Sequence, residues 1–214
     1  MARFPVTRTG LATVGKPATA TGSGKNERAS SELWTPEDLG ADVVAWWDVY
    51  DRGTVIYNGD YVDTLLDKTS NNHDLSQVVP SKQPKWVEHA ISNSFEGIEF
   101  DGIDDRMKNS TMVLPQPFSV VQLFRTDDTQ AEYASSFGGD FAIDALIYIR
   151  NRDFSDHLCL SAGNIVDTGL TVSPSQNQIL VAQFNNATSS AALNGIEAAT
   201  PNTGTFGISA GPSI

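Results

Sequence analysis

Four carboxylates fall in one short stretch, Glu99-Phe100-Asp101-Gly102-Ile103-Asp104-Asp105, and two chemistries could use them. Asp101, Asp104 and Asp105 offer the oxygens that a hard cation such as calcium takes from a single loop. The competing reading is a turn in which Asp101 bonds its own backbone ahead of Gly102 while Asp104 and Asp105 face water. The same residues approximate E-x-D-x-x-E, a spacing that sets a nucleophile and an acid on one face of a continuous strand. Here Gly102 marks a turn where that strand would have to continue, and the final acid is Asp. Hydrolysis is therefore not expected. The sequence contains no Ser-His-Asp arrangement, Walker loop or dinucleotide fingerprint. No catalytic residue, metal ligand or cofactor is assigned, with calcium at the Asp101 turn left as the open alternative.

Trp34, Trp46, Trp47 and Trp86 suggest a second chemistry, because an exposed indole presents an apolar face to a sugar ring. Consecutive residues of a strand point to opposite faces, so at most one of Trp46 and Trp47 enters a core. The other lies under a loop, under the N-terminal segment or in a ligand groove. Core or cover is the simpler role, and Trp47 and Trp86 are the candidates for contact with a glycan. The single cysteine, Cys159, cannot form an internal disulfide, and its setting in His157-Leu158-Cys159-Leu160 is that of a buried structural thiol. His73, His89 and His157 are too scattered to complete a zinc site with it.

The elements that would position these residues read as strands. Short apolar runs cover residues 42–49, 53–57, 61–66, 97–100, 118–125, 144–150, 157–162, 178–184 and 191–198, separated by turn chemistry such as Asn58-Gly59, Gly138-Gly139 and Asn194-Gly195. No segment sustains a helical period beyond two turns. Only Thr35-Pro36-Glu37-Asp38-Leu39-Gly40 reads as a helical turn, with Thr35 as its cap and Gly40 at its end. Many strands without alternating helices imply an all-β, antiparallel two-sheet sandwich of the jelly-roll kind.

Charge divides the chain. Residues 1–31 carry Arg3, Arg8, Lys16, Lys25 and Arg28 against Glu27, a net +4, so the remaining residues carry −16 of the total −12. An acidic body is unsuited to hold a nucleic-acid backbone, which requires clustered Lys and Arg. Residues 1–31 are rich in Thr, Ala, Gly and Ser and bury too little apolar surface to offset the entropy of folding alone. They read as an extended basic attachment arm on a body spanning 32–214. The N-terminus lacks the apolar core of a signal peptide, and no stretch approaches the length of a membrane span, so a cytoplasmic site of synthesis and no membrane partner are expected.

Ala45-Trp46-Trp47-Asp48, the loop Asp67-Lys68-Thr69-Ser70-Asn71-Asn72-His73-Asp74, Gln83-Pro84-Lys85-Trp86, Ile98-Glu99-Phe100-Asp101-Gly102-Ile103-Asp104-Asp105 and Leu193-Asn194-Gly195 follow one another in that order. This succession, over about residues 33–210, resembles the concanavalin A-like (laminin G-type) jelly-roll domains of phage virion and tail proteins. The resemblance implies a concanavalin A-like sandwich, a virion location after assembly in the host cytoplasm, and no enzymatic activity. It also implies a further strand after Phe206-Gly207-Ile208-Ser209-Ala210, pairing near the opening Trp-Trp strand. The sequence ends at Ile214 without that strand, so a vacancy is expected that either the N-terminal arm or a neighbouring subunit fills. Combined with the charge division, the expectation is a capsid decoration protein. Arg3, Phe4, Arg8, Lys16, Lys25 and Arg28 would bind the major capsid or tail proteins, with homo-oligomer or lattice contacts. The alternative is a tail- or fibre-associated module that binds a host glycan.

Overall fold

The computed structural model describes residues 4–11, 35–92, 95–126, 134–138, 146–150, 156–199, 203–208 and 213–214. In chain order the first strands are β1 (Phe4–Leu11), β2 (Ala45–Trp47), β3 (Val55–Asn58), β4 (Tyr61–Leu65), β5 (Leu75–Ser76), β6 (Lys85–Ser92), β7 (Phe95–Phe100) and β8 (Phe118–Phe124). They are followed by β9 (Ala134–Gly138), β10 (Leu146–Arg150), β11 (His157–Ser161), β12 (Ile165–Thr171), β13 (Gln178–Phe184), β14 (Ser190–Leu193) and β15 (Ile196–Ala199). The only helical elements among the described residues are short 3-10 turns, so the chain is all-β. No helix among these residues is long and apolar enough to cross a membrane.

Two antiparallel sheets result. The larger runs β15-β14-β13-β8-β1-β7-β6-β4-β3, with β2 joined to β1 and β5 to β4, and the smaller runs β12-β11-β10-β9. Alternation decides which way each strand faces. In β13, Gln178, Leu180, Ala182 and Phe184 are buried while Ile179, Val181 and Gln183 are exposed, the period of two that a half-covered sheet requires. Phe184 lies in register with Phe118 of β8, and their rings stack with centroids 5.0 Å apart. Both sheets feed one core cluster: Trp47, Val120, Leu180 and Phe184 enter it from the larger, and Ile147, Leu158, Leu160 and Leu170 from the smaller. Each such side chain withdrawn from water contributes about 1.5–3 kcal/mol before entropy is charged against it.

The residues expected to form one strand over 191–198 instead form the β14–β15 hairpin. Asn194 and Gly195 both adopt positive φ (52° and 81°), the backbone of a tight two-residue turn that a side chain at Gly195 would strain. Asn194 also exchanges backbone and side-chain hydrogen bonds with Ile179, fastening the turn to β13.

The N-terminal strand has the least expected position. β1 pairs antiparallel with both β7 and β8, with Pro5 opposite Glu99 and Gly10 opposite Val121, and also with β2, where Gly10 faces Trp46. Residues Phe4–Leu11 of the segment read as an arm are thus an interior strand of the larger sheet. They pair with the Trp-Trp strand β2. Thr35 starts a 3-10 turn over Pro36–Asp42, its backbone N–H donating to the Asp38 carboxylate at 2.7 Å, and Gly40 falls inside the turn rather than ending it.

Candidate functional site

The site is organised by a residue whose role the sequence did not disclose. The buried carboxylate of Asp67 accepts from the Trp46 and Thr69 backbone N–H groups through Oδ1, both at 2.9 Å. Through Oδ2 it accepts from the Thr69 hydroxyl at 2.7 Å and the His73 N–H at 2.9 Å. The Asp67 N–H in turn donates to Asp74 Oδ1, and Lys68 N–H donates to the Trp46 carbonyl. One side chain thereby fixes the 67–74 loop against β2. Three backbone donors that would otherwise be unsatisfied set the shape of the loop.

That clamp fixes the two indoles. Trp47 is fully buried, and its Nε1–H donates to the His73 carbonyl at 2.8 Å. Trp47 was a candidate for glycan contact, and this is a correction: an indole with no exposed face cannot stack on a sugar. Position parity carried the signal. Val43, Ala45, Trp47 and Val49 are all buried, whereas Trp46 shares its parity with Asp48 and therefore faces outward. Trp46 is half-buried and lines a groove of about 390 Å³ with Glu37, Lys68, Thr69, Ser70 and Asn71. The Lys68 ammonium lies 4.3 Å from the centroid of its ring and 2.9 Å from Asp51 Oδ2. The hydrogen bond from Lys68 holds the Asp51 carboxyl below its ordinary range, aided by the Gly53 N–H.

Trp86 is not in this groove. It packs against the core, with the Arg52 guanidinium 4.5 Å from its ring centroid and the Tyr57 ring meeting it edge-on at 6.0 Å. Arg52 is held there by the carboxylate of Glu96, so the Trp86 ring already carries a cation over its face. Its Nε1 is buried without a hydrogen-bond partner among the described residues. Cys159 is fully buried, as its sequence setting suggested, and the His157 ring beside it pairs with Asp167 at 3.0 Å.

The acidic stretch closes on itself. Gly102 takes φ 71°, and Asp101 Oδ1 accepts from the N–H groups of Ile103, Asp104 and Asp105 at 2.8, 3.2 and 3.3 Å. Asp104 is exposed and pairs with Lys82 at 3.3 Å. Asp105, expected to face water, turns partly inward, where its Oδ2 accepts from the Asp101 N–H at 2.9 Å. Burial pushes the Asp105 carboxyl up. Burial also acts upward on Asp101, but the three amides outweigh it and hold that carboxyl below its usual range. The three carboxylates offer oxygens within 4.8 Å of one another, the one cluster of metal-ligand type among the described residues. Each already has a donor from the chain, so the turn is satisfied by its own amides and Lys82.

Glu99, Asp101 and Asp105 border a second groove of about 310 Å³ with Tyr61, Gln83 and Lys85. A retaining glycosidase needs two carboxylates facing each other across the scissile bond. Asp101 and Asp105 are bonded to each other in a single turn at the border of this groove.

Of the arm residues expected to bind a partner, Phe4 and Arg8 lie in β1, whereas Arg3, Lys16, Lys25 and Arg28 lie outside the described residues, as does Trp34. Comparison with protein-family models, curated proteins and solved structures finds no match to this chain.

Proposed function

We propose that the chain is a non-enzymatic structural protein of a phage virion: a capsid decoration protein whose concanavalin A-like jelly-roll sandwich is displayed outward while the basic residues that follow β1 in the N-terminal segment attach it to the particle. Support for the sandwich comes from the convergence of motif pieces that are distant in sequence. The Trp46-Trp47 strand is closed by the Asp67–Asp74 loop through the Asp67 carboxylate, and the Asp101-Gly102 turn ends the strand that pairs with β1.

The observation that carries the attachment reading is the position of β1. β7 and β8 each bond to β1, so the N-terminal segment is tied to the body by sheet hydrogen bonds. Lys16, Lys25 and Arg28 follow β1 in sequence, in a segment of low apolar content, and their positive charge complements acidic surfaces of a capsid lattice. The acidic body repels its own copies between attachment points. The partners are the major capsid or tail proteins of the same particle.

The test replaces Lys16, Lys25 and Arg28 together with Glu, leaving β1 and the body intact. The variant should fold with the thermal stability of the parent and fail to join particles. Normal incorporation would refute attachment through this segment.

A further inference from the structure

Three dipeptides of the chain place an amide or acid side chain directly before glycine: Asn58-Gly59, Asp101-Gly102 and Asn194-Gly195. In such a pair the glycine main-chain nitrogen can attack the side-chain carbonyl carbon, because no Cβ on the attacking residue obstructs the five-membered ring that results. How firmly the side-chain carbonyl is held away from that nitrogen decides whether the ring closes. Two of the three are held by their oxygen. Asp101 Oδ1 accepts from the Ile103, Asp104 and Asp105 N–H groups. Asn194 Oδ1 accepts from the Ile179 N–H at 2.9 Å, while the Asn194 N–H donates back to the Ile179 carbonyl. Turning either side chain toward the following nitrogen would strip main-chain amides of their acceptor.

Asn58 is not held in this way. It is exposed at the end of β3, and its Oδ1 accepts no hydrogen bond from the described residues. Its side-chain bond runs through the other atom, Nδ2 donating to Gln83 Oε1 at 2.9 Å, and Nδ2 is the atom that departs when the ring closes. One neutral side-chain bond is a weak restraint beside three main-chain amides on a carboxylate. Gly59 follows at φ 65° with open space where a Cβ would stand, and its N–H has no acceptor among the described residues. We propose that Asn58 is a site of spontaneous deamidation, and that folding protects Asn194 and Asp101 from the corresponding ring closure. The bond from the Gly59 nitrogen to Cγ forms as the Cγ–Nδ2 bond breaks, and ammonia leaves with the proton given up by the Gly59 nitrogen. Water then opens the ring. Opening at Cγ yields aspartate at this position, whereas opening at the main-chain carbonyl routes the backbone through Cβ and Cγ as isoaspartate. The net change is water in and ammonia out.

Either product replaces a donor with a carboxylate opposite Gln83 Oε1, and the Gln83 amide nitrogen is already committed to Asp63 and to the Gln77 carbonyl. Acceptor then faces acceptor at a buried glutamine. Isoaspartate also lengthens the main chain where Asn58 pairs with Tyr61, so the β3–β4 hairpin at one end of the larger sheet loosens.

This inference does not depend on the attachment reading, because it involves none of residues 1–31. The test incubates the full chain at mildly alkaline pH and follows each site by peptide mapping with mass spectrometry and an isoaspartate assay. In the folded chain Asn58 should convert at least tenfold faster than Asn194, and Asp101 should yield no isoaspartate. In concentrated urea the two asparagines should convert at similar rates, because each precedes glycine and neither is then held. Aged protein should melt below fresh protein. Asn58→Gln keeps a side-chain amide but does not close a five-membered ring, so it should keep its melting temperature on ageing. Equal conversion of Asn58 and Asn194 in the folded chain, or faster conversion of Asn194, would overturn the proposal. So would an Asn58 rate that folding lowers as much as it lowers that of Asn194, or an Asn58→Gln variant that loses as much stability on ageing as the parent. Failure of particle attachment would leave it untouched.

Discussion

Replacing Asp67 with Ala removes one carboxylate and strands four donors: the N–H groups of Trp46, Thr69 and His73 and the Thr69 hydroxyl. Hydrogen bonds to a charged acceptor contribute about 1.5–3 kcal/mol each. Because the four share one acceptor and water can reach the outer part of the loop, the sum is well below four times that value, roughly 3–5 kcal/mol. For a chain of this length, each kcal/mol lowers the melting temperature by about 2–4 °C, so Asp67→Ala should melt roughly 10–15 °C below the parent. Asp67→Asn keeps one acceptor oxygen and should lose about half as much. Thermal unfolding followed by circular dichroism, with near-ultraviolet signals from the tryptophans as a second probe, measures both variants. A fall of less than about 3 °C for Asp67→Ala would refute the view that this carboxylate holds the loop to β2.

Other perturbations separate the competing roles of the same residues. Trp47→Ala should cost about 3–5 kcal/mol, the range for deleting a fully buried aromatic, whereas Trp46→Phe should leave urea unfolding nearly unchanged; a reversed order would mean the faces of β2 are wrongly assigned. Calcium addition followed by chelation should leave the melting temperature unchanged, because the Asp101 turn is satisfied by backbone amides, and a rise of several degrees with calcium would make it a cation site. Asp105→Asn should raise stability at pH 7. Burial lifts the Asp105 carboxyl above its ordinary value near 3.8, so the cost of its charge is complete above the raised value and absent below 3.8. The gain should disappear as pH falls through that window, and a gain that persists at pH 3 would contradict burial as its origin.

The strands that could be read in the sequence are those whose two faces differ. β8 and β13 show core-facing Phe118, Val120, Leu180 and Phe184 at alternate positions, and pattern alone locates them. β12 was missed because Ile165–Thr171 is largely polar and interrupted by Gly169, and it pairs with β11 across a register shift. β1 was read as an arm because its place is secured by backbone hydrogen bonds between β7 and β8, and such bonds leave no compositional trace. The Asp101 turn was legible because Asp-Gly marks its own geometry. Asp67 was not. A lone aspartate in a polar loop resembles any solvated one, and its four donors are spread over residues 46–73. The outward direction of Trp46 was available from Asp48 at the same parity, a signal that outweighs the identity of the aromatic itself.

The central claim is that this chain is a structural part of a virion, held by its N-terminal segment with the sandwich outward. Imaging intact particles by cryo-electron microscopy tests it most directly. The account predicts density for the β-sandwich outside the capsid shell at regular lattice positions, connected to the shell through the N-terminal side of β1 or the segment that follows it. Particles without such density, or density attached through either edge of the larger sheet, at β3 or at β15, would contradict it.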